Sequence, residues 1–295
     1  RRHRTLDRAS RSTLSWLKLQ RGGDDPHGRS LVVHLTEKPT WGFRLTPRAW
    51  PALFRALEQA PDDILLGAKI FFSLGGHDEA PNFRRFLRTR AGTELVRDRT
   101  PYPALFKNYE ALGQLPSDTL GRQYAEQLRE RGIHPTKLDA LSHQAYEGMH
   151  FSPEHAYVRD RVRETHDLFH TLTGYGIDVV GESGVLGFTF GQSGNKGWAV
   201  LTFLNVVTSL TSGRLTGLRN AWRGYRAGRR AAFVPARPDL DRLLRMPLDE
   251  ARRELGVEPA PDYRPIHAAD LWANSTNHGP RRVDRTAHHE RLPPT

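Results

Sequence analysis

The strongest constraint on the fold is a helical segment that carries two histidines four residues apart. Ser152-Pro153 is a typical helix start, because serine caps free backbone N–H groups and proline suits the first turn. The helix is predicted to extend to about Leu172. At about 100° per residue it places His166 and His170 about 40° apart on one face. Two imidazoles presented in this way can bind one metal ion.

Two carboxylates extend the histidine pair into a candidate ligand set. Asp167 lies about 60° from His170 around the helix, so it could bind the ion directly or orient one imidazole. On a straight helix Glu182 would lie about 18 Å along the axis from His170, at about 1.5 Å per residue. A shared site therefore requires the chain to turn back at Gly174 and Gly176, because glycine accepts positive φ angles and ends helices.

The pattern differs from that of the zinc proteases, which place a glutamate directly after the first histidine as the general base. Asp167 occupies that position here, and its carboxylate is one methylene shorter. The chain also contains 14 histidines, so a pair at this spacing can arise by chance. The metal site is therefore a hypothesis that depends on the glycine break and on Glu182.

The amino-acid composition limits which residue types can bind a metal ion and which partners the protein can have. The 295 residues include no cysteine, which excludes disulfides, thiolate metal sites and thiol nucleophiles, so any ion must take nitrogen and oxygen ligands. The net charge of +11 suits a nucleic acid, an anionic membrane surface, or a general bias toward arginine with solvated helix faces. The sequence contains no zinc-finger, RNA-recognition or basic-helix pattern, so no nucleic-acid partner is expected.

Helical patterns dominate the chain, and no alternation of strands and helices supports a doubly wound sheet. The sequence predicts an all-α fold, a single multi-helix domain over 46–258 with a metal site at a helix–break–helix. An N-terminal tail over 1–45, with a short hairpin at 30–45, and a loose basic C-terminal tail over 259–295 flank it. Further helix starts are predicted at Thr46, Asp62, Asn82, Ser117, about 179, about 197, Thr216 and Pro247.

Two helical segments have a functional and a structural interpretation. The apolar runs at about 179–190 and 197–211 form either core or the lining of a lipid channel. Residues 198–210 are too few to span a bilayer, which takes about 20 residues. The basic helix faces either anionic headgroups or solvent. The lining candidates are Val185, Leu186, Phe188, Phe190, Val200, Leu201, Phe203 and Leu204, and the basic residues are Arg214, Arg219, Arg223, Arg226, Arg229 and Arg230.

The motif HDLFH at 166–170, followed by eleven residues and Glu182, resembles the signature of the coenzyme Q biosynthesis protein 4 family. The likeness covers roughly 48–260, while 1–45 and the chain after about 262 have no counterpart. Further blocks that resemble the family, in the same order, are PDDILLGAKIFFSLGG, FRRFLRTRAGTELV, LPSDTLGRQYAEQL, RVRETHDLFHTLTGYG, AWRGYRAGRRA and MPLDEARRELGV.

The resemblance implies an all-helical protein with one divalent metal ion, usually zinc, with iron as the second candidate and no organic cofactor. It also implies an apolar lipid cavity for a polyprenylated ring, although the stretch at 191–197 is richer in glycine than the family pattern. The residues that it identifies as metal ligands and catalytic residues are His166, Asp167, His170 and Glu182.

The function implied by the resemblance is a step of ubiquinone biosynthesis, an oxidative decarboxylation that replaces the ring carboxylate with a hydroxyl. The implied location is peripheral, on the cytoplasmic face of a bacterial inner membrane or the matrix side of the mitochondrial one. The implied partners are the quinone precursor, an anionic membrane surface, other quinone-biosynthesis proteins and a second copy in a homodimer. Two alternatives stay open: a non-catalytic lipid-binding scaffold and an unrelated metal hydrolase.

Overall fold

The computed structural model describes residues 79–130, 151–211 and 215–265. All of these belong to one compact unit, Glu37–Thr295. Their secondary structure is helical, and the only β pairing among them is an isolated bridge. The predicted all-α fold with a single multi-helix domain is therefore confirmed. The predicted hairpin and the helices expected at Thr46 and Asp62 lie outside the described residues.

The helices of the described residues differ widely in length. The four from α6 to α9 are the longest and position the candidate site, and a 3-10 turn at Val234–Ala236 precedes α10. In chain order the helices are α1 (Ala80–Phe86), α2 (Arg90–Asp98), α3 (Ala104–Lys107), α4 (Tyr109–Leu112), α5 (Leu120–Glu130), α6 (Pro153–Thr173), α7 (Val179–Ser193), α8 (Lys196–Thr211), α9 (Thr216–Arg230), α10 (Leu240–Arg245) and α11 (Leu248–Leu255).

Local sequence signals set most of these boundaries. The Ser152 hydroxyl accepts a hydrogen bond from the His155 N–H at 3.3 Å and caps α6 as predicted. Gly174 and Gly256, with φ of 74° and 66°, end α6 and α11 in the left-handed conformation that glycine adopts without strain. Helix α9 begins at Thr216 as predicted.

The prediction that Ser117 caps α5 was wrong. The Thr119 hydroxyl accepts from the Arg122 N–H at 3.3 Å, so the helix begins two residues later. The reason is tertiary, because the chain here pairs with the segment before α11. The Leu120 N–H donates to the Met246 carbonyl at 2.9 Å, which holds the preceding residues out of the helix.

Helix α7 is buried on almost every side, because glycines allow α9 to lie directly against it. A Cβ added at Gly187 would overlap the Ala221 carbonyl, and one added at Gly224 would overlap the Gly184 carbonyl. Such close backbone approach is typical of glycine-faced helix pairs. The two helices therefore pack as one unit, and α8 connects them in the chain.

Helix α6 joins this unit to the rest of the core. Its Leu168, Phe169 and Leu172 side chains are fully buried in a cluster with α5, α10 and α11. The buried Arg161 donates to the Pro235 carbonyl at 2.8 Å and lies 4.0 Å from the Tyr102 ring centroid. These contacts fix the axis of the helix that carries both histidines. No helix in the described ranges has both the length and the apolar character to cross a membrane.

We expect Gly187→Ala to destabilise the protein. Alanine would favour the helix by up to about 1 kcal/mol over glycine. Its methyl group, however, meets the backbone carbonyl of Ala221, which cannot rotate away, and such overpacking costs about 1–3 kcal/mol. Urea unfolding measures the change in the free energy of unfolding. Arg226→Ala on the exposed face of α9 is the control, within about 0.5 kcal/mol of the parent; a stabilised Gly187→Ala would contradict the close helix pairing.

Candidate metal centre

Three of the four predicted ligands meet between α6 and α7. His166, His170 and Glu182 each offer a ligand atom, and these atoms lie within 4.8 Å of one another. The Nε2 atom of His170 lies 3.3 Å from Glu182 Oε2, and Nε2 of His166 lies 3.6 Å from Oε1. The reversal of the chain that the ligand hypothesis required is therefore present.

The reversal is built from short-range hydrogen bonds. The Gly174 N–H donates to the His170 carbonyl at 2.8 Å as α6 ends. The Asp178 carboxylate then caps α7, accepting from the N–H groups of Val180 and Gly181 at 3.1 and 3.2 Å. The first turn of α7 follows directly. It carries Glu182, where a negative charge also suits the positive end of the helix dipole.

Each imidazole is oriented through its Nδ1 atom. His170 Nδ1 lies 3.1 Å from the Tyr175 carbonyl, which can only accept, so Nδ1 carries the hydrogen. The Thr189 hydroxyl donates to the Val185 carbonyl at 2.8 Å, so it accepts from His166 Nδ1 at 2.9 Å. In the neutral rings both Nε2 atoms therefore present a lone pair toward Glu182. This is the arrangement by which metal-binding histidines are usually held.

The electrostatics of the cluster favour a cation at its centre. Two nitrogen lone pairs and a carboxylate that face one another repel unless protons or a metal ion lie between them. Burial alone would raise the pKa of the Glu182 carboxyl. When the imidazoles carry hydrogen on Nε2 as well as on Nδ1, the charge of His170 and the hydrogen bonds that both rings then donate outweigh burial. They hold the pKa of Glu182 well below its ordinary range. The carboxylate is therefore ionised and able to bind a metal.

Helix α8 covers one side of the site with a residue that the sequence did not single out. The Trp198 indole stacks on the His166 ring, with 4.9 Å between centroids and 19° between planes. It reaches there because the glycine-rich stretch contains a second reversal, at Gly194 with φ of 68°. His170 is buried, whereas the Glu182 side chain keeps 27% of its surface exposed. The site is thus accessible from the glutamate side.

The structure does not bring Asp167 into this group. The residue is half-buried on the adjacent face of α6, toward α5. There burial, and next the charge of Asp167, raise the pKa of Tyr124. Neither imidazole uses Asp167 as its Nδ1 partner, since those are Thr189 and the Tyr175 carbonyl. Its role as a fourth ligand stays a prediction.

Sequence reasoning also missed Tyr263, which lies in the segment expected to be a loose tail. Its hydroxyl accepts from the Gly176 N–H at 2.8 Å and donates to the Asp178 carboxylate at 2.8 Å. The Ala260 N–H donates to the Thr173 carbonyl at 2.6 Å. The segment therefore packs on the α6–α7 turn. No spacing pattern marked it, because the contacts join residues more than eighty positions apart.

We expect Tyr263→Phe to weaken the α6–α7 turn. The Gly176 N–H and the Asp178 carboxylate each lose a partner, which costs about 1–3 kcal/mol for partly buried groups. Urea unfolding gives the change in stability, and hydrogen exchange of the turn amides localises it. Tyr225→Phe is the matched control, because that ring stacks on Phe190 and no hydrogen bond of its hydroxyl occurs in the described residues. Equal stability of the two variants would contradict a stabilising role of the Tyr263 hydroxyl at the α6–α7 turn.

Comparisons with known proteins identify the family of the chain. The family model described as "Coenzyme Q (ubiquinone) biosynthesis protein Coq4" matches residues 82–261. The chain is 29% identical over 206 residues to the mitochondrial ubiquinone biosynthesis protein coq4 of Neosartorya fischeri, covering 68% of this chain and 69% of that protein. It is 30% identical over 217 residues to the corresponding protein of Phaeosphaeria nodorum, covering 70% of each.

A solved structure shares the fold. It is the crystal structure of a protein from Nostoc punctiforme described as a ubiquinone biosynthesis protein, with a TM-score of 0.54 and 22% identity over 73% of this chain and all of that one. At this identity the likeness bears on the fold alone. The family match covers more than half of the chain and contains all three residues of the cluster. The chain therefore belongs to the coenzyme Q (ubiquinone) biosynthesis protein Coq4 family, and its role lies in ubiquinone biosynthesis.

Proposed function

We propose that the chain binds one divalent metal ion through His166 Nε2, His170 Nε2 and the Glu182 carboxylate, and that this site acts on a polyprenylated quinone precursor. The observation that carries the proposal is the convergence of these three groups within 4.8 Å. The fixed Nδ1 hydrogen bonds support it, since they leave the Nε2 lone pairs free for a ligand bond.

The donor set fits several ions. Two imidazoles and one carboxylate suit zinc, and they also suit iron or manganese. Three protein ligands leave at least one position for water or substrate, as in catalytic sites; structural zinc sites usually have four protein ligands. If Asp167 were the fourth ligand, its side chain would have to turn from the α5 side toward Glu182. The occupancy of that fourth position therefore separates a catalytic from a structural role.

The proposed reaction exchanges a ring carboxyl group for a hydroxyl. The bond from the ring to the carboxyl carbon breaks, a ring carbon–oxygen bond forms, and carbon dioxide leaves. Dioxygen supplies the hydroxyl oxygen and leaves its second atom as water, taking two electrons from the substrate and two from an external reductant. The bound ion would supply a Lewis acid for the ring carboxylate or phenolate. Zinc has no redox chemistry, so oxygen activation at this site would require a redox-active ion such as iron.

The protein side chains would position the ring and exclude water. Trp198 covers His166, and His170 is buried, so water reaches the cluster mainly past Glu182. The prenyl tail needs apolar surface nearby. Val185 and Phe188 on α7 are fully buried core residues, whereas Phe203 on α8 is 64% exposed. We therefore assign the tail to the α8 side and not to α7.

Metal analysis tests the ligand assignment. We expect about one equivalent of ion in protein purified without chelators, and loss of that ion in His170→Ala and in Glu182→Gln, because two ligands hold a divalent ion weakly. Elemental mass spectrometry gives the stoichiometry and the identity of the ion. Asp167→Asn is the neighbouring control and should retain the metal. Retention of the ion by His170→Ala would refute the proposed site. Loss of the ion from Asp167→Asn would identify Asp167 as a fourth ligand.

Complementation tests the reaction. In a strain that lacks its own family member, the parent chain should restore ubiquinone, and His170→Ala should not. The informative measurement is the precursor pool, by mass spectrometry of lipid extracts. A precursor that retains the ring carboxyl group should accumulate with His170→Ala. The scaffold alternative predicts instead that all late intermediates fall together, and normal ubiquinone with His170→Ala would refute a catalytic metal.

A further inference from the structure

The Trp198 indole forms the α8 side of the candidate metal centre. It is buried and nearly parallel to the His166 imidazole, with 4.9 Å between the ring centroids and 19° between the planes. Any apolar side chain in this position would exclude water from the cluster. A flat ring that lies parallel to a ligand does more, because two stacked rings hold each other in a common orientation.

The His166 ring needs a second restraint besides its hydrogen bond. The His170 side chain is 2% exposed and enclosed by its surroundings, whereas that of His166 is 16% exposed. The bond to the Thr189 hydroxyl fixes the position of His166 Nδ1, but the ring can still turn about that contact. The Nε2 lone pair lies in the plane of the ring, so this plane decides whether it points toward Glu182. The stack on Trp198 fixes the plane.

The backbone that carries Trp198 is itself held by buried polar contacts. Directly before α8, the Asn195 side-chain amide donates to the Glu79 carboxylate at 3.4 Å, and its oxygen accepts from the Gly197 N–H at 2.8 Å. The same carboxylate accepts from the Asn82 amide at 2.6 Å. All three of these polar side chains are buried. Because buried polar groups are hydrogen-bonded in folded proteins, these bonds join the start of α8 to α1.

We propose that Trp198 is a positioning residue of the metal centre, which fixes the plane of the His166 ring and thereby directs Nε2 at the ion. The inference rests on the proposed function, because it assigns Trp198 a role in the same site. It requires a flat ring at this position, whereas exclusion of water requires only an apolar side chain. Groups that orient a metal ligand from outside the site commonly contribute about 10–100-fold to metal affinity.

Competition with a chromophoric chelator measures the affinity of the full chain for Zn²⁺, used alone as the probe. We expect Trp198→Leu to bind Zn²⁺ at least about tenfold more weakly, because the His166 plane is no longer fixed. Trp198→Phe keeps a flat ring and should bind more tightly than Trp198→Leu. Trp222→Leu, at an exposed position of α9, is the matched control and should bind like the parent. Parent affinity in Trp198→Leu, or equal losses in its leucine and phenylalanine variants, would overturn the inference.

The stack can also be measured in protein without metal. The ring current of the indole should move the NMR resonances of the His166 ring protons upfield, and Trp198→Leu should return them toward those of free histidine. The His170 resonances are the internal reference and should move little, because that ring contacts His166 edge-on and has no stack with the indole. His166 resonances that are the same in the parent and in Trp198→Leu would overturn the inference.

A second variant keeps the indole and loosens its backbone, so the test does not depend on the folding of Trp198→Leu. Asn195→Ala removes the side-chain contact with Glu79. It should weaken Zn²⁺ binding and move the His166 resonances in the same direction as Trp198→Leu. Combined with Trp198→Leu it should cost little further affinity, because both changes act through one contact. Fully additive losses would overturn the route from Glu79 through Trp198 to His166.

The same titrations distinguish failure of the metal centre from failure of the role of Trp198. A parent chain that binds no Zn²⁺, or a His170→Ala variant that binds it equally well, would overturn both proposals. Zn²⁺ binding that is lost in His170→Ala but unchanged in Trp198→Leu would overturn the positioning role alone and leave the ligand assignment in place.

Discussion

The reversal between α6 and α7 is the constraint on which the candidate site depends. Glu182 reaches the two imidazoles only because the chain turns back directly after α6. Gly174 supplies the left-handed residue, Asp178 caps the next helix, and Tyr263 joins the two ends of the turn. Each of these contacts is modest by itself. Together they fix the start of α7, and the Tyr175 carbonyl in the same turn orients His170.

Much of this reversal could be predicted, because its signals are local. Ser152 and Gly174 act through hydrogen bonds and φ angles within a few residues, and the structure has them as expected. The start of α5 was predicted wrongly because it depends on a contact with a distant segment. Ser117 is a good cap by composition, yet the chain before α11 pairs with Leu120 and shifts the start to Thr119. Tertiary pairing of this kind leaves no periodic trace in either segment.

The site shows the same division. Helical spacing correctly brought His166 and His170 to one face, and it required Glu182 to return to them. Asp167 lies one step around α6 from His166. Spacing alone could not decide whether its side chain faces the metal site or the neighbouring helix α5. The direction depends on which neighbour each face meets, and here the Asp167 face meets α5 while the histidines meet α7. Trp198 reaches the site through a reversal of the chain at Gly194. The glycine-rich sequence around Gly194 did not predict where the following helix would pack.

The packing that buries α7 also produces the exposed basic face. Helix α9 turns its small residues toward α7, because a methyl group at Gly224 or Gly228 would overlap the α7 backbone. Those positions recur along one side, at Gly217, Ala221, Gly224 and Gly228. The arginines and Trp222 then necessarily lie on the other side, outward. One helix thus links the buried support of Glu182 to an exposed basic face, so a change in either face acts on the same closely packed helix pair.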